Sequence, residues 1–173
     1  LVGFSFGAHV GTIVATLRGD AFASFTIAGS AALGLQRKPL KYPKERSTMT
    51  VDERDAVHRG TLEILMFHDP SRIDDLAIRV QAENVRRSRF RSRPFALTDD
   101  IRRALPRVEA PVNAIWGAHD VIPQPNVDAC YAIIREHHPE LLVRTVDDAG
   151  HWVMYEQPAA FNAALIELLG MRD

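Results

Sequence analysis

The stretch Leu-Val-Gly-Phe-Ser-Phe-Gly at residues 1–7 constrains the fold more than any other part of the chain. An apolar run ends at Ser5, which has a glycine two residues away on either side. A helical pattern follows at once, with apolar residues at Val10, Ile13, Val14 and Leu17 and a glycine stop at Gly19. A serine at that junction sits on a sharp strand-to-helix turn in strained backbone geometry, and the flanking glycines relieve the crowding. Its hydroxyl would stand at the positive end of a helix. The backbone N–H of Phe6 would face an oxyanion developing there.

The remaining pattern places this turn in a layered fold. Residues 22–28 alternate and read as a strand, followed by a small-residue loop over 29–34. Residues 36–46 are basic and proline-punctuated, which predicts irregular structure. Helical spacing returns over 51–67, and Ser71 with Asp74 reads as a capping box opening a helix toward Arg91. Thr98-Asp99-Asp100 caps a short helix ending near Leu105. Strand 111–116, helix 125–137, strand 141–146 and helix 156–169 complete the chain. Strand and helix alternate on both sides of a helical stretch, which predicts a parallel α/β sheet with an inserted lid. The expected division is a core of residues 1–35 and 108–173 and a helical cap of residues 36–107.

Composition narrows the partners. With 173 residues, 46% hydrophobic and 25% charged, the chain is long enough for one globular domain. Twenty-one Lys and Arg balance 22 Asp and Glu, so the net charge of −1 gives no argument for nucleic acid or a membrane surface. No apolar run approaches the ~20 residues of a membrane helix. No signal-peptide pattern is visible, which makes the cytoplasm the expected location. The single Cys130 excludes an internal disulfide and a thiolate metal cluster, and its helical setting predicts a small core residue. A homo-oligomer is compatible with the sequence.

A serine hydroxyl is a poor nucleophile without a base beside it. His151, in Asp148-Ala149-Gly150-His151-Trp152 after the last strand, is the candidate base. Asp120, in Trp116-Gly117-Ala118-His119-Asp120 after the preceding strand, is the candidate orienting acid, with Asp147 and Asp148 as competitors. All of these follow the C-terminal ends of strands, where crossover topology gathers loops on one edge of a sheet. The other histidines, at 9, 58, 68, 119, 137 and 138, show no ligand spacing supported by further donors. They read as surface or packing residues. No metal or organic cofactor is implied, and the expected partner is a small-molecule substrate.

Gly3-Phe4-Ser5-Phe6-Gly7, Asp120 and Gly150-His151-Trp152, in the order Ser, Asp, His, resemble the α/β-hydrolase fold. Within it, Leu65-Met66-Phe67-His68-Asp69-Pro70-Ser71, Ile73-Asp74-Asp75-Leu76 and Arg79 resemble the lid of meta-cleavage-product hydrolases. Tyr155-Glu156 and Phe161-Asn162 are similar to that family's tail. Its members are serine enzymes that cut a C–C bond in vinylogous diketone acids formed by aromatic-ring fission. The resemblance implies that Arg79 binds the substrate carboxylate or 2-oxo group and that Trp152 packs against the dienoate. Ala8 and Phe4 depart from the family, which has glycine after the elbow and asparagine before the serine. A carboxylesterase with the same residues is the nearest alternative, and a non-catalytic binding module on the same fold is the reading from another class. The family's sheet has strands ahead of the elbow, so the chain reads as the C-terminal part of a longer hydrolase. The second oxyanion donor would then come from the preceding part, and lacking one donor costs about 2.7–4 kcal/mol of transition-state stabilisation.

Overall fold

In the computed structural model, residues 1–36, 39–123 and 125–170 are described. Arg37 and Lys38, in the basic stretch expected to be irregular, lie outside them. Four parallel strands, β1 (Val2–Phe4), β2 (Phe25–Ala28), β3 (Val112–Gly117) and β4 (Leu142–Val146), form one sheet in the order β1-β2-β3-β4. Helix α1 (Phe6–Arg18) joins β1 to β2, and α5 (Val127–Arg135) joins β3 to β4. Between β2 and β3 lie α2 (Val51–Leu65), α3 (Asp75–Arg87) and the short α4 (Asp100–Ala104). Helices α6 (Val153–Glu156) and α7 (Pro158–Leu168) close the chain. This is the parallel α/β architecture that the alternating pattern predicts.

The period-2 alternation of the central strands divides the core. Phe25, Ile27, Val112, Ala114 and Trp116 point to one face, where they meet Ala8 and Ala15 of α1 and Cys130 and Ile134 of α5. Ala28, Ile115 and Val146 point to the other, against Val153, Phe161 and Leu168. Cys130 is thus a core residue, as expected. Ile101 and Leu105 also belong to the first cluster, so the end of the stretch expected as cap shares the core of the sheet. A separate cluster of Leu62, Phe67, Ile73, Ala77 and Ile78 holds the inserted helices together, with Trp152 and Tyr155 packed against it.

Local differences from the sequence reading have identifiable causes. Helix α1 forms over the expected residues, yet its apolar stripe Val10, Ile13, Val14 and Leu17 is exposed. The face turned to the sheet is Ala8, Gly11, Thr12 and Ala15, because the helix starts against β1 and only small residues fit. A Cβ on Gly3 would lie 2.7 Å from the Ala8 Cα and the Gly7 carbonyl oxygen. A Cβ on Gly7 would meet nothing, so the crowding at the elbow is one-sided. Gly19 does not stop α1 in a left-handed turn; the helix runs on into a 3-10 turn at Gly19–Ala21.

Ser71 and Asp74 do not form a capping box. Asp69 accepts from the Ser71 N–H at 2.9 Å around a 3-10 turn, and Asp74 caps α3 by accepting from Ala77 N–H at 2.8 Å. Helix α3 then ends at Arg87, short of the expected Arg91. The reciprocal capping box sits instead at Thr50 and Glu53, ahead of α2. The expected final helix forms as α7, and the short α6 ahead of it is a turn that the pattern did not indicate; Gln157, at φ −131°, separates the two, and Pro158 opens α7 at a position that needs no N–H.

The one-sided packing of α1 sets a clear contrast. Gly3→Ala forces a methyl into backbone and is expected to cost at least about 1–3 kcal/mol in urea unfolding, whereas exposed Leu17→Ala stays within about 0.5 kcal/mol of the parent.

Candidate active site

Ser5 occupies the turn between β1 and α1 with φ 52° and ψ −117°, a conformation that costs a non-glycine residue roughly 1–3 kcal/mol. The surroundings enforce it. Its N–H donates to the Ala28 carbonyl at 2.9 Å, its carbonyl accepts from Ala8 N–H at 3.0 Å, and Gly3 lets the helix begin in contact with the strand. The hydroxyl is thereby lifted off the end of the sheet. Phe6, as the first residue of α1, has no intrahelical acceptor for its N–H.

The loops after β3 and β4 meet the serine from the other side. Backbone bonds from Ala118 N–H to the Val146 carbonyl and from His119 N–H to the Ala149 carbonyl, both 2.9 Å, tie the two loops to each other. Glycine is required at the crossing, since a Cβ on Gly117 would run into the carbonyl oxygens of Ala149 and Gly150. His151 is 1% exposed. Its Nε2 lies 3.0 Å from Ser5 Oγ, and its Nδ1 lies 2.8 Å from Asp120 Oδ2. The other oxygen of Asp120 accepts from Ile122 N–H at 2.9 Å, which fixes the carboxylate plane. Asp147 and Asp148 are exposed, and the ring nitrogens of His151 bond Asp120 and Ser5 instead. The structure therefore brings Ser5, His151 and Asp120 into one hydrogen-bonded line.

Such a line, with its imidazole and carboxylate buried, has definite chemical capacity. A buried carboxylate on Nδ1 fixes the tautomer that leaves Nε2 as the acceptor for the Ser5 proton, and it offsets the charge when that proton arrives. Burial pushes the Cys130 thiol pKa up to about 12, and the negative charge of Asp120 adds to the shift. Cys130 is thereby kept as an inert thiol.

Ser5 and His151 open into a cavity of about 550 Å³ between the sheet edge and the insertion. Leu40, Leu65, Met66, Leu97 and Ile122 give it apolar walls. Phe6 stacks on Phe90 at 5.3 Å, and Phe95 packs on both, at 6.2 and 5.3 Å. Arg79 is exposed on α3 and does not line this cavity. Trp152 does not line it either; it packs with Phe67 at 5.9 Å and Tyr155 at 4.7 Å beneath the inserted helices. Among the described residues the arginine that faces the cavity is Arg93, its guanidinium 4.7 Å above the Tyr42 ring.

Glu156 has a larger part than the sequence indicates. This 2% exposed carboxylate accepts from the N–H groups of His68 (3.0 Å), Asp69 (2.7 Å) and Gly150 (2.7 Å). It joins the insertion to the loop that carries His151, one residue before the imidazole. A carboxylate within an apolar final helix was the available signal, since such a charge is buried only when paired or well hydrogen-bonded.

Residues 1–164 match the Alpha/beta hydrolase family. The chain belongs to that family. No curated protein matches the sequence significantly. Among solved structures, the chain is similar to a meta-cleavage product hydrolase from Pseudomonas fluorescens IP01, with TM-score 0.69 and 18% identity over 98% of this chain and 63% of that one. It is similar to a candidate aryl esterase from Burkholderia cenocepacia, with TM-score 0.71 and 19% identity over 99% of this chain and 63% of that one. A third likeness is to N-formylmaleamic acid deformylase from Pseudomonas putida S16, with TM-score 0.64 and 19% identity over 95% of this chain and 64% of that one. The chain thus spans less than two thirds of the length of each of these relatives.

Glu156→Gln replaces an acceptor by an amide that must turn an N–H toward backbone donors. It is expected to cost about 1.5–3 kcal/mol in thermal or urea unfolding, and hydrogen exchange should quicken first at residues 67–69 and 150.

Proposed function

We propose that this hydrolase is a serine enzyme of the Ser-Asp-His type that cleaves C–C bonds in vinylogous diketone acids, the products of aromatic-ring fission. The observation that carries this reading is the Ser5–His151–Asp120 line opening into an apolar cavity faced by an arginine. Ser5 Oγ attacks the substrate carbonyl carbon while His151 Nε2 takes its proton. The oxyanion forms beside the Phe6 N–H. When the tetrahedral species collapses, the C–C bond breaks, its electron pair passes into the conjugated acid fragment, and His151 returns the proton to that fragment. Water, deprotonated by His151, then attacks the acyl group on Ser5 and releases the second acid.

The arginine has a specific role in this scheme. A dienoate carries a carboxylate into an apolar cavity, which is unfavourable unless a cation meets it. The resemblance assigns that role to Arg79; position in the cavity favours Arg93. The helical insertion acts as the cap that excludes water, and Trp152 supports it from below rather than touching the dienoate. The apolar walls suit aromatic and alkyl groups. The likeness to a candidate aryl esterase favours ester hydrolysis as the second reading, since the same nucleophile and base serve an ester equally well.

Kinetics and labelling of the parent and three variants test this. Ser5→Ala is expected to abolish turnover and fluorophosphonate labelling, and unchanged turnover would end the proposal. With the parent, loss of the coloured dienoate band should outpace cleavage of a chromogenic neutral ester; the reverse order supports the esterase. Arg93→Met should raise KM for the dienoate roughly 10–100-fold, the worth of one charge-assisted bond, and leave the neutral ester unaffected. Arg79→Met should change neither.

A further inference from the structure

We propose that His68, His119 and Asp148 form a binding site for a divalent transition-metal ion of the zinc class, at the seam between the helical insertion and the loops that carry Asp120 and His151. One ligand atom from each of the three lies within 4.8 Å of the others, although the residues come from separate segments of the chain. His68 belongs to the stretch between α2 and α3, His119 precedes Asp120, and Asp148 lies three residues before His151.

The donors are available and their backbones are held. All three side chains are exposed, and among the described residues no hydrogen bond is formed by either imidazole ring or by the Asp148 carboxylate. The two rings lie face to face, 3.6 Å apart and 7° from parallel. Beneath them, His68 N–H is fixed to the Glu156 carboxylate and His119 N–H to the Ala149 carbonyl. Asp148 is held at φ 50°, unusual for a residue other than glycine, and its carbonyl accepts from the Gln157 amide at 3.1 Å. The cluster therefore owes its geometry to the loops that build the active site, while its donor atoms are free to turn.

The donor set selects the ion. Two imidazoles and one carboxylate suit zinc and its neighbours, whereas calcium and magnesium require a shell of oxygens. Zinc–nitrogen bonds are about 2.0–2.1 Å, so the donors must draw together and the rings must fan open until their lone pairs converge. Unpaired surface side chains make that change by rotamer adjustment. Three protein ligands leave a fourth position to water. None of the three residues lines the cavity, so the ion sits beside the reaction rather than in it. It cross-links the insertion to both loops, reinforcing from outside the junction that Glu156 makes from within.

Calorimetric titration of the protein with zinc chloride tests this directly. One saturable site is expected, weakened at least about tenfold by His119→Ala and by Asp148→Asn, because even outer-shell partners are worth about 10–100-fold in affinity. Asparagine tolerates the left-handed backbone at 148, and circular dichroism checks that each variant is folded. Zinc should also slow hydrogen exchange at residues 66–69 and 147–150 in the parent and not in His119→Ala. The proposal is overturned if no saturation appears up to about 0.1 mM zinc. It is equally overturned if binding survives both His68→Ala and His119→Ala, or is lost in His151→Ala while those two retain it, which would put the ion on the Ser5 side.

Discussion

Close approach of backbone to backbone is the constraint on which the site depends. Gly3 admits the first turn of α1 against β1, and Gly117 admits the loop of Ala149 and Gly150 against the end of β3. The first approach imposes the left-handed geometry on Ser5; the second brings His151 to within 3.0 Å of its hydroxyl. Side-chain contacts alone could not hold a strained residue to such tolerances, since each is soft at the ångström scale. Backbone pressed on backbone is not soft, and its ladder bonds run into the β2 and β4 carbonyls on either side. The strain at Ser5 is thus sustained by the sheet as a whole.

Glu156 extends the same logic to the insertion. A buried carboxylate without partners would be untenable, but three inward N–H groups, from His68, Asp69 and Gly150, replace its water. Because those donors belong to two separate segments, the charge is satisfied only when the insertion is seated and the His151 loop is formed. Arg72 adds a bond to the Glu156 carbonyl at 2.9 Å, and Tyr155 donates to Asp74 at 2.6 Å from the next residue. Placement of the roof and orientation of the imidazole are therefore one structural event rather than two.

The parts of this arrangement that were legible in the sequence share a property: their place is set by position along a strand. Ser5, Asp120 and His151 each follow a strand end, and parallel topology alone gathers such residues on one edge. Helix α1 was legible for the same local reason, though its periodicity could not say which face meets the sheet. Hydrophobicity favoured Val10 and Leu17, while the available space favoured Ala8 and Ala15. Arg79 and Arg93 illustrate the limit. Both lie in an arginine-rich stretch, and which of them faces a cavity follows from how the inserted segments fold back over the sheet. No local spacing encodes that. The His68–His119 stack was invisible likewise, since its members share no sequence neighbourhood.

Floor and roof of the cavity are built to different standards, and this bears on how chemistry and selectivity divide. The floor carries Ser5, His151 and Asp120 on glycine-packed turns with few degrees of freedom, so substitution there disturbs the strand ends themselves. The roof segment from Phe90 to Leu97 holds one short 3-10 turn, and Phe90, Phe95 and Leu97 are substantially exposed. Its order comes from ring stacking with Phe6 and from Arg93 over Tyr42, interactions worth about 0.5–1.5 kcal/mol each that accept many side-chain sizes. Exchange of residues in this roof can reshape the cavity while the floor keeps its geometry. Folds that share one such floor can therefore differ in the groups their cavities admit, because cavity shape is set by the least constrained wall.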